Sequence, residues 1–160
     1  MSEEVPHLAT RAGSACAADD GLIGVLDEIP LADCLALLAS HEVGRIAVVV
    51  DGQPHIFPVN YVLDGEVIVF RSGPGLKLSG AAYGAVAFEI DEIDPGILGG
   101  WSVAVAGFGR EFTGALDRSS ARQQGMPLVP WAGGAKDHWV QITDSVITGR
   151  RLRRREPGGR

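Results

Sequence analysis

Two cations and a hydroxyl group lie close together in the stretch FRSGPGLKL, residues 70–78. Arg71 and Ser72 end an apolar run, and Lys77 follows about one helical turn after a Gly-Pro-Gly sequence. Backbone N–H groups at a helix start, together with charged and hydroxyl side chains, are well suited to bind phosphate. The stretch therefore predicts a phosphate site, although an ordinary hairpin with solvated charges has the same pattern.

Other motifs argue against several kinds of site. The four histidines are scattered and show no HxH or HExxH spacing, so a histidine-built metal site is not expected. The sequence has no nucleophile elbow, no phosphate-binding P-loop and no dinucleotide fingerprint, because the glycines of GFGREF fall inside a predicted strand. The acidic run Glu89, Asp91, Glu92 and Asp94 fits a solvated strand end better than a cation site. We predict no metal site and identify no catalytic residue.

The composition predicts one soluble globular domain. The chain has 160 residues, of which 46% are hydrophobic, a range typical of a protein with a single core. It has no apolar run long enough to cross a membrane and no secretory signal pattern at its start. Its two cysteines, Cys16 and Cys34, lack a CxxC spacing, which favours a reducing compartment. We therefore expect a cytoplasmic protein without a membrane partner.

Charge is distributed unevenly along the chain. Residues 150–160 hold six of the 14 basic residues and one of the 20 acidic residues, so the rest of the chain is strongly acidic. Because an acidic surface binds nucleic acid poorly, no nucleic-acid partner is expected. We expect the arginines to be solvated and to lie against an acidic surface of this chain or of a partner.

Hydrophobic periodicity predicts about six closely spaced strands with short helices outside them. A helix is predicted from Leu31 to Ser40, with Asp33 in its first turn. Strands are predicted over 45–50, 55–63, 66–72, 85–90, 101–116 and 138–152, the last broken near Thr143-Asp144. Asp51-Gly52 and Asp64-Gly65 are predicted hairpin turns. Strands joined by such short connections favour a small antiparallel barrel over a parallel sheet.

Prolines, glycines and one aspartate refine this picture. Pro58 cannot donate a ladder hydrogen bond, so its strand should have an edge or a bulge there. Gly107 and Gly109 inside a strand indicate a bend, a bulge or the close approach of another group. Asp117 is the predicted N-cap of a short helix that ends at Gln124, and residues 126–137 form a loop rich in proline and glycine.

The motifs, taken in order, resemble the pyridoxamine 5′-phosphate oxidase-like group of flavin-binding split barrels. They are VGR at 43–45, FPVNY at 57–61, DGEVIVFRSGPGLKL at 64–78, GWSVAVAG at 100–107 and HWVQI at 138–142. The chain is most similar to small actinobacterial-type members. The resemblance implies a mainly β fold, a six-stranded antiparallel split β-barrel over residues 25–152. A mobile segment, residues 1–24, would precede it and an arginine-rich tail, residues 153–160, would follow it.

The resemblance also implies a homodimer with FMN bound in clefts at the interface, and it assigns cofactor-binding residues by position. Pro58, Val59 and Asn60 would run along the isoalloxazine ring. Phe70, Arg71, Ser72 and Lys77 would surround the phosphate, and Ser102 would contact the flavin with Trp101 beside it. Trp139, Trp131 and His138 are candidates for closing the site from the second subunit.

The activity implied is that of an FMN-dependent oxidoreductase, which passes electrons or hydride from a reduced nicotinamide to a small organic acceptor. A flavin carries the redox step itself, so such an activity does not require a conspicuous nucleophile or proton donor. Two departures argue against pyridoxamine phosphate as the substrate. Leu76 replaces the arginine of an Arg-Lys pair before Lys77, and the C-terminal arginine motif has no counterpart around Gln141. F420 in place of FMN, a flavin or haem carrier or sensor, and an interaction module without a cofactor remain as alternatives.

Overall fold

A computed structural model describes residues 24–113 and 118–154 of the chain. This part of the chain contains β1 (Gly24–Ile29), α1 (Leu31–Ser40), β2 (Val43–Val50), β3 (Gln53–Asp64), β4 (Val67–Ser72), α2 (Leu76–Ala81), β5 (Tyr83–Asp94), β6 (Gly99–Phe112), α3 (Arg118–Gln124) and β7 (His138–Arg154). The predicted N-cap Asp117, residues 1–23 of the predicted mobile segment and residues 155–160 of the predicted tail lie outside the described residues.

Six of the strands close into an antiparallel ring. The order around the ring is β7-β4-β3-β2-β5-β6, and β6 pairs back with β7. This arrangement confirms the predicted six-stranded antiparallel split barrel, in which each ring strand pairs with two neighbours over at least part of its length. α1 has the predicted bounds, with Asp33 in its first turn.

Sequence patterns did not predict β1. This strand lies outside the ring and pairs along its whole length with the end of β7, from Ile29 opposite Gly149 to Gly24 opposite Arg154. Its short sequence, GVLDEI, has no turn signal that connects it to a neighbouring strand. Because its partner lies far along the chain, local periodicity does not reveal it.

Ion pairs reinforce the contact between β1 and β7. Arg150 lies 3.2 Å from Glu28, and Arg153 lies 2.5 Å from Asp27. The first part of the arginine-rich sequence thus continues β7 and meets acidic residues of the same chain, as the charge pattern indicated. None of the helices in the described ranges is both long and apolar enough to cross a membrane.

The predicted turns connect the strands with small adjustments. Asp51 and Gly52 link β2 to β3 and have φ angles of 51° and 74°, which a two-residue hairpin turn requires. The next hairpin turns at Gly65 and Glu66, one residue later than predicted, because Asp64 still pairs with Val67. The Asp64 carboxylate then binds α3 and is not used in the turn.

The predicted irregularities also lie where the sequence indicated. Pro58 of β3 pairs with Arg45 of β2. The pairing of β3 with β4 begins only at Tyr61, so the other side of β3 is unpaired at Pro58. The pairing of β6 with β7 shifts register at Gly107, opposite the predicted break at Asp144, whose φ is 51°. At Gly109 the backbone of Ala81 comes so close that a Cβ atom would collide with its carbonyl oxygen. This contact fixes the end of α2 against β6.

Aromatic and branched side chains, Tyr61 among them, fill the barrel interior. The Tyr61 hydroxyl donates a hydrogen bond to the Leu38 carbonyl oxygen at 2.7 Å, near the end of α1. The Tyr61 ring meets the Phe88 ring edge-on, with centroids 4.8 Å apart. Burial raises the pKa of Tyr61 well above its usual value. The interior thus ties α1 to the strand that carries the FPVNY motif.

Candidate functional site on the outer face of the barrel

Four side chains form a row across the outer face of the barrel, which we call the outer row (Asn60, Arg71, Trp139 and Phe112). Arg71 is paired with Trp139, and Trp139 with Phe112. Asn60 extends the row at the Arg71 side, one residue beyond the last pair between β3 and β4. Directly paired residues share a face of a sheet. The residues that alternate with this row, such as Phe70, point into the core.

Ring and cation contacts hold the centre of the outer row together. The Arg71 guanidinium carbon lies 5.1 Å from the centroid of the Trp139 ring. The Trp139 ring in turn lies 6.2 Å from the ring of Phe112, centroid to centroid. A guanidinium over an indole face is attracted by the ring quadrupole, which fixes the orientation of both groups.

The connecting loop, residues 125–137 between α3 and β7, is hydrogen-bonded to the outer row at two points. The backbone N–H of Trp131 donates to Asn60 Oδ1 at 2.8 Å. Arg71 Nε donates to the Lys136 carbonyl oxygen at 2.7 Å. Two residues predicted to bind a cofactor therefore also position this loop, a role that their sequence positions did not reveal.

Three cationic residues are gathered where the loop contacts the FRSGPGLKL turn: the charge of Lys136 acts on Lys77, and Arg71 is hydrogen-bonded to the Lys136 backbone. Lys77 and Lys136 are the only lysines of the chain. Burial lowers the pKa of Lys77, and the positive charge of Lys136 lowers it further. Within the described residues, no carboxylate forms an ion pair with any of the three. Like charges brought together without a counter-ion favour the binding of an anion.

Gly73 explains how the loop comes so close to the turn. A Cβ atom at this position would lie 2.7 Å from the Ala135 carbonyl oxygen and 4.0 Å from Lys136 Nζ. The lysine itself donates to the Gly133 carbonyl oxygen at 3.2 Å. Sequence reasoning identified Arg71 and Lys77 but missed Lys136, because a single lysine in a flexible-looking loop carries no distinctive signal.

The other predicted residues of the turn and of β3 lie in different surroundings. Val59 and Phe70 are buried in the barrel interior, so only their backbone groups are available near the outer row. Ser72 is also buried, and its hydroxyl donates to the Gly73 carbonyl oxygen at 2.8 Å. Pro58 is exposed on the first half of β3.

Trp101 and Ser102 lie far from the Phe112 end of the outer row within one chain. They begin β6, whereas Phe112 ends it, and the strand between them covers roughly 35 Å at about 3.3 Å per residue. The Trp101 ring packs edge-on against the His41 ring, with centroids 5.2 Å apart. A single chain thus pairs Arg71 with Trp139, and it places Trp101 beside His41 near the end of α1.

A first cavity of about 450 Å³ lies beside the Asn60 end of the outer row. The end of α1, β3 and the connecting loop form its walls, which include His41, Leu63, Met126 and Trp131. Trp101 contacts this cavity indirectly, through His41. Its volume and its mixture of apolar, aromatic and amide groups are typical of small-molecule sites.

A second cavity of about 480 Å³ lies beside the Phe112 end. Tyr83 is paired with Arg110, and Arg110 with Gln141, so all three face the same side of the sheet as the outer row. The Arg110 guanidinium lies 5.7 Å from the centre of the Phe108 ring. The outer row, with Arg71 and Trp139 in its middle, therefore has a cavity at each end.

A histidine and a glutamate pair at the neighbouring barrel mouth. His138 Nδ1 lies 2.6 Å from Glu111 Oε1, and His138 is paired with Ser72 on the inner face of the sheet. This pair does not belong to a larger cluster: the described residues contain no group of three or more His, Cys, Asp or Glu side chains that could hold a metal ion. The chemistry available on the outer face is therefore anion binding and ring packing.

Comparison with known proteins gives a consistent result at the level of sequence. The family model described as pyridoxamine 5′-phosphate oxidase matches residues 30–151. An uncharacterized protein of Mycobacterium tuberculosis is 34% identical over 131 residues, which cover 78% of this chain and 84% of that protein.

Solved structures agree with the fold. The FAD-binding protein of Mycobacterium smegmatis is 37% identical with a TM-score of 0.66, over 79% of this chain and 98% of that one. An FAD-binding protein of Mesorhizobium loti has a TM-score of 0.62 at 23% identity, over 81% of this chain and 98% of that one, a likeness of fold.

Proposed function

Since this chain belongs to the pyridoxamine 5′-phosphate oxidase family, we propose that it binds a flavin on the outer face of its barrel and acts as an oxidoreductase. The observation that carries this proposal is the cluster of Arg71, Lys77 and Lys136, which has no acidic partner in the described ranges and lies next to a ring-lined cavity. The M. smegmatis relative binds FAD, which contains the same ring and first phosphate as FMN.

The flavin phosphate would occupy the three cations. Arg71 uses only its Nε in a hydrogen bond to described protein atoms, so its two terminal nitrogens are available for phosphate oxygens. A guanidinium binds phosphate through two parallel hydrogen bonds, and such charge-assisted bonds are among the stronger ones in proteins. The two lysines would add charge around the same oxygens.

The flavin ring would lie toward the first cavity, at the Asn60 end of the outer row. Asn60 Oδ1 is occupied by Trp131, but Asn60 Nδ2 makes only a long contact of 3.5 Å with the Glu42 carbonyl oxygen. This N–H group remains a donor for a carbonyl oxygen at the ring edge. Pro58 and the backbone of Val59 precede Asn60 on the same strand and would continue the wall.

A bound flavin supplies hydride or electron transfer, and the protein supplies binding, orientation and exclusion of water. We propose a reduced nicotinamide as the donor and a small organic molecule as the acceptor, with FMN as the smallest sufficient cofactor. The first cavity, with its apolar lining from Leu63 and Met126, would exclude water from one side of the ring.

We further propose that the chain forms a homodimer and that the second copy completes the site. Trp101 and Ser102 lie at the opposite end of β6 from Phe112, and in the dimer that the family resemblance implies they would complete the flavin site of the second copy. Val129 and Trp131 at the first cavity are 74% and 73% exposed, which is unusual for large apolar side chains and fits a covered surface.

The test is a flavin titration of the purified protein, after its visible spectrum and any released cofactor have been recorded. FMN should bind, and the double variant Arg71→Ala/Lys77→Ala should bind it at least about a hundredfold more weakly, because two charge-assisted contacts are lost. The control Arg153→Ala/Arg154→Ala removes two exposed charges from the end of β7 and should retain affinity. Unchanged FMN affinity in Arg71→Ala/Lys77→Ala would overturn the assignment of these residues to the phosphate. If the wild-type protein binds F420 tightly and does not bind FMN, the cofactor is F420.

A further inference from the structure

We propose that the connecting loop, residues 125–137, is a lid over the first cavity and that a bound phosphate group holds it closed. This inference rests on the proposed function, because the phosphate would use the same three cations and the flavin ring the same cavity. It adds a coupling between the two halves of the site. A phosphate bound at Arg71, Lys77 and Lys136 should raise the affinity of the first cavity for its ligand.

The connecting loop borders both halves of the site. Its last part reaches the cations, because the Lys136 carbonyl oxygen accepts a hydrogen bond from Arg71 Nε and the Lys136 charge acts on Lys77. Only five positions separate Trp131 from Lys136, so a shift of the loop at one half of the site moves residues of the other half. The first part of the loop supplies five residues to the wall of the first cavity: Met126, Pro127, Leu128, Val129 and Trp131.

Few contacts hold the loop against the strands. Within the described residues, two hydrogen bonds join it to β3 and β4, one to Asn60 and one from Arg71. Between these two points lie Gly133 and Gly134, where an added Cβ atom would meet no other atom within 4 Å. From residue 129 to residue 137 no side chain of the loop is buried. A segment with so few packed contacts opens at a low cost in free energy, so a bound ligand can determine its position.

Charge opposes the closed position of the loop when no anion is bound. Lys136 is the only basic residue of the loop, and closure brings it to two further cations, Arg71 and Lys77. In the described ranges no carboxylate pairs with any of the three, and the neighbouring Asp137 side chain is exposed. A phosphate placed among the cations replaces this repulsion by charge-assisted hydrogen bonds from the loop and from the turn.

The loop therefore couples the two halves of the site energetically. A phosphate that favours the closed loop raises the affinity of the cavity, and a ligand in the cavity raises the affinity for phosphate by the same factor, because such coupling is reciprocal. Couplings of this kind are roughly 5- to 150-fold. FMN would use both halves through one molecule, whereas riboflavin, the same ring without the phosphate group, would use the cavity alone. Riboflavin and inorganic phosphate, added separately, thus measure the coupling.

The experiment titrates the full chain with riboflavin in saturating inorganic phosphate and, for reference, in chloride of equal ionic strength. Phosphate should raise the affinity for riboflavin about tenfold and lower the affinity for FMN, because it competes with the phosphate group of FMN. In Lys136→Gln the loop carries no cation, so phosphate should leave riboflavin affinity unchanged. The matched control Lys77→Gln removes the same charge from the turn. It should require more phosphate, but saturating phosphate should still raise its affinity for riboflavin.

The outcomes separate the lid from the proposed function. If FMN binds but riboflavin affinity is equal in phosphate and chloride, or rises equally in Lys136→Gln, the lid is overturned and flavin binding stands. If neither flavin binds, the flavin proposal falls, and cleavage by chymotrypsin after the exposed Trp131 decides on the lid. Phosphate should slow this cleavage in the wild type and not in Lys136→Gln. A cleavage rate that phosphate does not change in the wild type would overturn the lid as well.

Discussion

The positive charge of Lys136 lies close enough to Lys77 to lower the pKa of its ammonium group, in addition to the larger effect of burial. These are the only two lysines of the chain, and they lie on segments about sixty residues apart in sequence. Folding therefore places like charges together at a cost that a bound anion would offset. The Lys77 and Lys136 ammonium groups therefore repel each other in the folded protein, where the FRSGPGLKL turn meets the connecting loop.

The two lysines allow a direct measurement of this repulsion. In a protein with isotope-labelled lysine, two side-chain signals are expected, and Lys136→Gln should raise the pKa of Lys77 because one neighbouring charge is removed. Lys136→Arg keeps the charge and should keep the pKa lowered. If the pKa of Lys77 is unaffected by Lys136→Gln, the two groups are not coupled and the cluster is wrongly placed.

Flavin binding should weaken as pH rises through the lowered pKa of Lys77, because the neutral amine no longer attracts phosphate. A Lys77→Arg variant stays charged over this range, so its affinity should decline less in the alkaline region. Titration of FMN fluorescence at a series of pH values measures both curves. Identical curves for the wild type and Lys77→Arg would show that Lys77 does not face the phosphate.

Asn60 should control the order of the connecting loop. Asn60→Ala removes the acceptor for the Trp131 N–H group, which should cost about 1 kcal/mol and loosen residues 125–137. Trypsin should then cut after Lys136 faster than in the wild type. Asn60→Asp keeps a side-chain oxygen acceptor and should protect the loop. Equal cleavage rates in all three proteins would show that this hydrogen bond does not hold the loop.

Tyr61 should make the fold sensitive to base. The folded protein keeps the Tyr61 phenol protonated because burial raises its pKa, whereas the unfolded phenol ionises at about pH 10. The stability contributed by this group is fully present below that pH and declines above it. The only other tyrosine, Tyr83, is exposed, so one phenolate should form reversibly and the second only on unfolding.

The variant Tyr61→Phe separates two effects of this residue. It should lower the free energy of unfolding at neutral pH by about 1–2 kcal/mol, because the Leu38 carbonyl oxygen loses its partner. Its stability should then decline less between neutral and alkaline pH than that of the wild type. Denaturant titrations at both pH values test this, and parallel declines in the two proteins would contradict the assignment.

Gly109 should not tolerate a side chain. An alanine Cβ would collide with the Ala81 carbonyl oxygen, so Gly109→Ala should displace α2 and destabilise the fold by roughly 1–3 kcal/mol. Gly125→Ala is the control, because its Cβ would lie at an ordinary 3.4 Å from the nearest atom, the Arg122 carbonyl oxygen. Thermal unfolding of the two variants should differ clearly. If Gly109→Ala is as stable as Gly125→Ala, α2 can shift away from β6 without loss of stability, and the contact at Gly109 does not fix it.

Local sequence patterns predicted the parts of this molecule that depend on neighbours in the chain. The Asp51-Gly52 turn, the bounds of α1 and the irregularity at Gly107 each follow from a few consecutive residues. Arg71 and Lys77 were predicted together because one short motif contains both. Each of these features is encoded within a single turn or strand.

Features formed by distant segments were not predictable in the same way. Lys136 joins the cations only because Asn60 and Arg71 hold the connecting loop over β3 and β4. The second cavity draws side chains from β5, β6 and β7, and no run of sequence places Tyr83 beside Gln141. Pairing across the barrel determines these neighbours, and a single sequence does not specify that pairing residue by residue.

The pairing of β1 with the end of β7 has a consequence for biosynthesis. Asp27 and Arg153, which are bonded in the folded protein, are separated by 126 positions along the chain. During translation β1 emerges early and has no partner until the ribosome has released the last residues of β7. Contacts of such long range are slow to form, so β1 should be the last strand to join the sheet, and its Ile29 side chain, which is buried in the folded chain, should be available to chaperones until then.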